Sequence, residues 1–277
     1  MGERFAGKVF WITGGGSGLG AALAIAAAKE GAIIAISGRR KARLDEVIDA
    51  LEHEGCKALG LPCDVTDPGQ LQSCVEEIVS RFGAIDVAIA NAGFAVSGQV
   101  LDHEPEDWQR QFDTNVIGAT MTIRAAMPEL LKTKGRAVLM SSVASMFTYP
   151  SGGAYCASKA ALRAIGQALS IELHGTGVSC TTIHPGFVES EIGKVDNHGR
   201  FDPSRKDPRP AALLWKSDKA AKVMLKAIYK RRREFTFTAH GIIATWISRY
   251  APSLAFRIAT SDMASSKAGE LTDGRAT

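Results

Sequence analysis

Tyr155-Cys156-Ala157-Ser158-Lys159 sets a phenol and an ammonium four positions apart. On a helix those two positions share a face. An ammonium beside a phenol stabilises the phenolate, so the tyrosine is expected to titrate below its ordinary value of about 10 and to serve as a general acid/base. Cys156 between them reads as a small filler beside a pocket rather than a reactive thiol. A second stretch, Thr13-Gly14-Gly15-Gly16-Ser17-Gly18-Leu19-Gly20, is suited to holding an anion. Glycines in such a turn permit positive φ and close backbone approach, and the free amides of a following helix attract negative charge.

These groups need a scaffold, and the flanking residues describe one. Lys8 to Thr13 is an apolar, β-branched run that predicts a buried strand, and Leu19 to Glu30 predicts an alanine-rich helix. Strand, glycine turn and helix in succession make a dinucleotide-binding unit. About 20 positions beyond the glycines, an NAD-selective site carries an acidic residue that bonds the ribose 2′-hydroxyl. Here Ala32 to Ser37 predicts the second strand, and Gly38-Arg39-Arg40-Lys41 follows it. A guanidinium offers a 2′-phosphate a charge-assisted fork, so NADP(H) is expected over NAD(H), with Arg39 first and Arg40 second. The plainer reading makes these solvated charges at the start of a helix over 42–54.

Composition sets bounds on the rest. With 277 residues, 45% of them hydrophobic, the chain is long enough for one large α/β domain with a substantial core. A net charge of +4, from 33 basic and 29 acidic residues, gives no reason to expect a nucleic-acid surface. Five cysteines without a C-x-x-C pair, and no apolar leader, suggest a cytoplasmic protein with reduced thiols. No apolar run reaches the roughly 18 residues needed to span a bilayer. No residue is assigned to a metal.

From about Lys8 to about Thr238 the chain resembles the short-chain dehydrogenases/reductases. The motifs that carry the resemblance occur in order: Thr13-Gly14-x-x-x-Gly18-x-Gly20, Asn91-Ala92-Gly93, Asn115, Ser142, Tyr155-x-x-x-Lys159 and Pro185-Gly186. One departure is Ala90, where the family usually has a second asparagine, which calls the local hydrogen bonding into question.

The resemblance implies a single Rossmann-type, doubly wound domain with a mainly parallel sheet of about seven strands and helices on both faces. It makes Asn115, Ser142, Tyr155 and Lys159 catalytic. In that reading Ser142 and Tyr155 bond one carbonyl oxygen, and Asn115, with a distorted backbone, holds a water that relays protons to Lys159. The cofactor would be bound by Gly14, Ser17, Gly18, Leu19, Gly20, Arg39, Arg40, Asp64, Val65, Asn91, Ala92, Gly93, Tyr155, Lys159, Pro185, Gly186, Val188 and Ser190. Asp64 and Val65 inherit an adenine contact, against the simpler reading of Asp64 as a turn former. Asn115 also stands out by type, because asparagine is disfavoured inside the long helix expected over 106–131.

Further strands are expected at 57–62, 85–90, 136–141 and 178–184, with a helix over 153–173. Phe94 and Val96 line the substrate side or simply pack their loop. Relatives pair the helices carrying Asn115 and Tyr155 across a subunit interface, which implies a homodimer or homotetramer. Residues 189–210 lack periodicity and form the expected substrate loop. Ala211 to Arg233 predicts helix, and 234–238 a short edge strand that closes a catalytic domain of residues 1–238.

Beyond it, an extension over 239–262 carries Ile243, Trp246, Ile247, Tyr250 and Leu254 on one helical face, interrupted at Pro252. It caps the pocket or a subunit interface, the alternative being peripheral contact with a membrane. Residues 263–277 are expected to be a disordered tail.

The reaction implied is hydride transfer between NADP(H) and a small-molecule carbonyl/alcohol pair, with an apolar ketone of steroid or lipid type as substrate. Two other classes stand beside it. A non-catalytic NADP(H)-binding regulator needs the glycines but not the serine, tyrosine, lysine and asparagine together. A hydrolase using Ser142 lacks the G-x-S-x-G setting and a motif-placed histidine.

Overall fold

Alternation along the first strand explains the architecture. In β1 (Val9–Thr13), Phe10 and Ile12 enter one apolar cluster while Val9 and Trp11 enter another, so both faces of the strand are covered. The computed structural model describes residues 3–261, and the tail expected over 263–277 lies outside the described residues. The strands that follow are β2 (Ile33–Gly38), β3 (Ala58–Pro62), β4 (Val87–Ala90), β5 (Arg136–Met140), β6 (Ser179–His184) and β7 (Glu234–Thr236). They form a parallel seven-stranded sheet in the order β3-β2-β1-β4-β5-β6-β7. The expected doubly wound fold is therefore present, and its order reverses between β1 and β4, where ligands gather in such sheets.

Helices α1 (Gly18–Ala28), α2 (Lys41–His53) and α7 (Ser217–Tyr229) cover one face, through Leu23, Leu44 and Met224. The other face is covered by α3 (Pro68–Phe82), α5 (Ala119–Thr133) and α6 (Gly153–Glu172), through Leu71, Ile123 and Leu162. The start of α3 is set by adjacent residues. Asp67 caps it, accepting from the Gly69 and Gln70 amides at 2.8 and 3.2 Å, with Pro68 in the first turn.

Two expected elements differ, and the extension breaks where expected. The long helix over 106–131 is instead α4 (Pro105–Phe112), a π-helical segment Asp113–Gly118, and then α5. The helix expected from Ala211 begins only at Ser217, because Pro210 and the extended Leu214 and Lys216 divert the chain. The extension is two helices, α8 (Ala239–Tyr250) and α9 (Pro252–Ser261), parted where Pro252 cannot continue the hydrogen-bond ladder. Its apolar face is bare: Ile243, Trp246 and Tyr250 are 58%, 63% and 61% exposed. None of the helices within 3–261 is long and apolar enough to cross a membrane.

Glycine sets how closely α6 approaches the sheet. A Cβ on Gly166 would strike Thr182 Oγ1 on β6 and reach to 3.3 Å from Leu139 Cδ1 on β5. Gly166→Ala should therefore cost about 1–3 kcal/mol by overpacking. Thr182→Ala in the same chain should return part of that loss, as read by urea titration.

Candidate active site

The carboxyl ends of β1 and β4 are laced together around the glycine run. Thr13 Oγ1 accepts from the Asn91 and Ala92 amides at 3.1 and 3.2 Å, and Asn91 Nδ2 donates to the Thr13 carbonyl at 2.9 Å. Gly14 and Gly18 have φ of +66° and +50°, which the turn requires and other residues resist. Space is equally tight, since a Cβ on Gly14 would stand 2.9 Å from Ala92 Cα, and one on Gly20 would collide with the Gly14 carbonyl. Ser190 closes the far side: its Cβ lies 3.1 Å from where a Gly18 Cβ would be. This cradle of small residues at the N-terminus of α1 fits the phosphates of a dinucleotide. Ser17, Leu19 and Gly20 open that helix, and Asn91-Ala92-Gly93 borders it. Ala90 meets its neighbours through the sheet ladder, in register with Leu139, and is itself buried.

The second group stands beside it. Helix α6 carries Tyr155 and Lys159, and the lysine Nζ lies 5.7 Å from the centre of the tyrosine ring. Lys159 is 5% exposed and donates to the Met140 carbonyl at the end of β5, at 2.8 Å. A Cβ on Gly93 would come within 3.6 Å of the lysine Nζ, so the lysine also borders the cradle. Burial lowers Lys159 to about 8, which leaves it mainly protonated at neutral pH.

Tyr155 corrects the expectation of a lowered phenol. Burial raises it to about 12, and the Ser142 hydroxyl draws it only part of the way back. Desolvation of the phenolate exceeds the stabilisation it receives, so the phenol holds its proton. Ser142 follows β5 and caps the short turn Val143–Ser145, its Oγ accepting from the Ala144 amide at 3.1 Å.

Asn115 lies within the π-helical segment, so the backbone is distorted where the resemblance implied it. Its amide group braces two elements: Oδ1 accepts from the Phe94 amide at 3.1 Å, while Nδ2 donates to the Phe94 carbonyl at 2.9 Å and to Ser158 Oγ at 3.3 Å. Buried Gln111 repeats the pattern one turn earlier, bonding the Val96 amide at 2.7 Å and the Phe94 carbonyl at 2.9 Å. Phe94 and Val96 then pack with Ala154, Trp108 and Val195 into a separate apolar cluster beside Tyr155.

The turn after β6 is held from two sides. Pro185 accepts from the Val143 amide at 3.0 Å, and the Phe187 amide donates to His240 Nε2 at 3.0 Å. Thr238 and His240 crowd Gly186 so closely that a Cβ there would meet both. Arg209 clamps the next residues, donating to the Val188 carbonyl at 2.7 Å, Ser190 Oγ at 3.1 Å and the Ser190 carbonyl at 2.9 Å.

At the β2 end, Arg40 Nη2 reaches Ser17 Oγ at 3.0 Å, whereas Arg39 turns to the Gly199 carbonyl at 2.7 Å. Arg40 thus contacts the cradle directly. Asp64 spends one carboxylate oxygen on its own turn, accepting from the Thr66 amide at 3.0 Å and the Thr66 hydroxyl at 2.8 Å, and Val65 is core. Sequence reasoning missed Arg43, Glu191, Arg209, Gln111 and His240. Arg43 carries a faint signal, three residues beyond Arg40 on the same helix, while the others act across distances that no local pattern encodes.

The fold and site together define a doubly wound α/β protein with a glycine cradle at the carboxyl end of its first strand and a tyrosine–lysine pair beside it. The short chain dehydrogenase family model matches residues 8–200. A short chain dehydrogenase of Pseudocercospora fijiensis is 36% identical over 203 residues, covering 70% of this chain and 65% of that one, so the match spans just under two thirds of that relative. A short chain dehydrogenase/reductase of Burkholderia phymatum, solved in complex with NAD, superposes with a TM-score of 0.80 at 26% identity, covering 91% of this chain and 96% of the other. An alcohol dehydrogenase of Thermococcus sibiricus, complexed with 5-hydroxy-NADP, gives 0.74 at 27% identity, covering 84% and 97%. The chain belongs to the short-chain dehydrogenase/reductase family and is an oxidoreductase.

Near the site, His184 is fully buried, 3.1 Å from Ser145 Oγ, and burial lowers it to about 4 despite the opposing pull of Glu234. The unfolded chain, with an ordinary histidine near 6.5, binds the extra proton between those values. Stability from the neutral ring is therefore complete above about pH 6.5 and lost as pH falls toward 4, by at most about 3 kcal/mol. Urea titrations at pH 7 and pH 5 should show a smaller pH difference for His184→Gln than for the unsubstituted chain.

Proposed function

We propose that the protein interconverts a small-molecule carbonyl and a secondary alcohol, with NADP(H) as redox partner. The observation that carries this reading is the placement of Tyr155 and buried Lys159 beside both Ser142 and the glycine cradle. A nicotinamide dinucleotide bound in that cradle supplies or accepts the hydride. The chain's own residues do the rest. Ser142 orients the substrate oxygen, and Tyr155, whose phenol keeps its proton, donates it to that oxygen in the reductive direction. Lys159, cationic at neutral pH, favours the phenolate left behind and passes on a proton that reaches it from solvent through a water held at Asn115. The apolar wall of Phe94, Val96 and Val195 suits an apolar ketone and excludes water.

Choice of the phosphorylated cofactor rests on Arg40, whose guanidinium already touches the cradle, and on the absence of an acidic residue after β2. Solved relatives hold either form, so the arginines of this chain decide. A homo-oligomer forming across α5 and α6 accounts for the exposure of Leu131 and Ile171, which are 46% and 76% exposed.

Tyr155→Phe should leave NADPH binding within a few-fold while kcat falls about 10² to 10⁴, the usual contribution of a positioned acid. Retention of kcat within a few-fold would refute the assignment. Arg40→Ala should weaken NADPH by about ten- to a hundred-fold, the worth of a charged hydrogen bond, and barely change NADH. Equal weakening of both in fluorescence titrations would sink the 2′-phosphate reading.

A further inference from the structure

All three arginines at the β2–α2 corner are held by one segment, residues 189–210. Glu191 accepts from Arg40 Nη2 at 2.5 Å and from Arg43 Nη2 at 3.3 Å. The Gly199 carbonyl takes Arg39, and the ring of Phe201 lies 5.4 Å beneath the Arg40 guanidinium. Glu191 is not a solvated surface acid, since its side chain is only 22% exposed. It follows Ser190, and its amide nitrogen lies 3.6 Å from where a Gly18 Cβ would be.

The same segment reaches the substrate side. Asn197 exchanges two hydrogen bonds with the backbone of Ser97, at 3.0 and 2.9 Å, and Val195 packs on Phe94, Val96 and Ala154, the last being the neighbour of Tyr155. A carboxylate on the arginine pair and an apolar side chain on the catalytic wall are therefore only four positions apart.

We propose that Glu191 is an internal competitor for a cofactor 2′-phosphate. Its carboxylate holds the guanidiniums of Arg40 and Arg43, and a 2′-phosphate that engages them displaces it and frees segment 189–210 from the corner. This rests on the NADP(H) reading above and deepens it. A phosphate with nearly two negative charges and three acceptor oxygens outcompetes a single carboxylate on the same fork, so exchange runs toward the phosphorylated ligand. The competitor lowers affinity for that ligand and ties its binding to the position of Val195. An unphosphorylated dinucleotide leaves the Glu191 latch closed.

The test uses the full chain and two probes that differ only in the relevant group, 2′,5′-ADP and 5′-ADP, titrated calorimetrically, with the rate of tryptic cleavage after Arg200 and Arg205 as the second readout. Glu191→Gln should tighten 2′,5′-ADP by about three- to five-fold, the scale of a partly exposed ion pair, and leave 5′-ADP unchanged. In the unsubstituted chain 2′,5′-ADP should speed cleavage and 5′-ADP should not, while Glu191→Gln should be cleaved fast without either.

Glu46→Gln removes another carboxylate from Arg43 without touching the segment, and should leave the cleavage rate as it was. If the unsubstituted chain binds both probes equally, the NADP(H) reading falls and this inference falls with it. If it prefers 2′,5′-ADP but Glu191→Gln leaves the ratio and the cleavage rate unchanged, the inference alone is overturned. Equal effects of Glu46→Gln and Glu191→Gln on both readouts would also overturn it, reducing Glu191 to local charge.

Discussion

Burying the ammonium of Lys159 is the constraint on which the site depends. A cation taken out of water needs acceptors in place, and the Met140 carbonyl at the end of β5 supplies one. That contact fixes the height of α6 along the sheet, and the small residue Gly166 about two turns on fixes how near it lies. Tyr155, one turn before Lys159, has no independent freedom once both are set. Ser142 emerges from the same strand that ends in Met140, so the three groups are placed by a single strand–helix contact rather than by three separate loops.

Burial also explains why the two titrating groups move in opposite senses. Desolvation penalises whichever form is charged, so the phenol rises and the ammonium falls. Their ordinary values lie close together, yet in the fold the lysine is the group nearer neutrality. At neutral pH both still carry their protons. The charge of the ammonium thus stands beside a phenol that keeps its proton.

Much of this was legible in the sequence because it is local. The strand–glycine–helix succession, the i, i+4 spacing of Tyr155 and Lys159 and the Asp67-Pro68 helix start each need only a few consecutive residues. The misses share a different origin. The break of the long helix at 113–118 arises where Asn115 and Gln111 turn their amides onto Phe94, and helical periodicity carries no sign of those bonds. The lowered phenol was inferred from one neighbour, whereas burial is a property of everything packed around it. Glu191 meets Arg40 across a separation of 151 residues, so neither residue's surroundings announces the other.

The C-terminal third bears on the site in a way the motifs do not convey. The family model ends at residue 200, yet Thr238 and His240 from the start of α8 press on Gly186 and Phe187, and Arg209 grips 188–190. The turn after β6 is thus built from motif residues in front and, behind, from residues that lie beyond the family-model match. A change behind it shifts the turn without altering any motif residue. That arrangement lets the shape of the turn vary while Ser142, Tyr155 and Lys159 stay where a single strand–helix contact has put them.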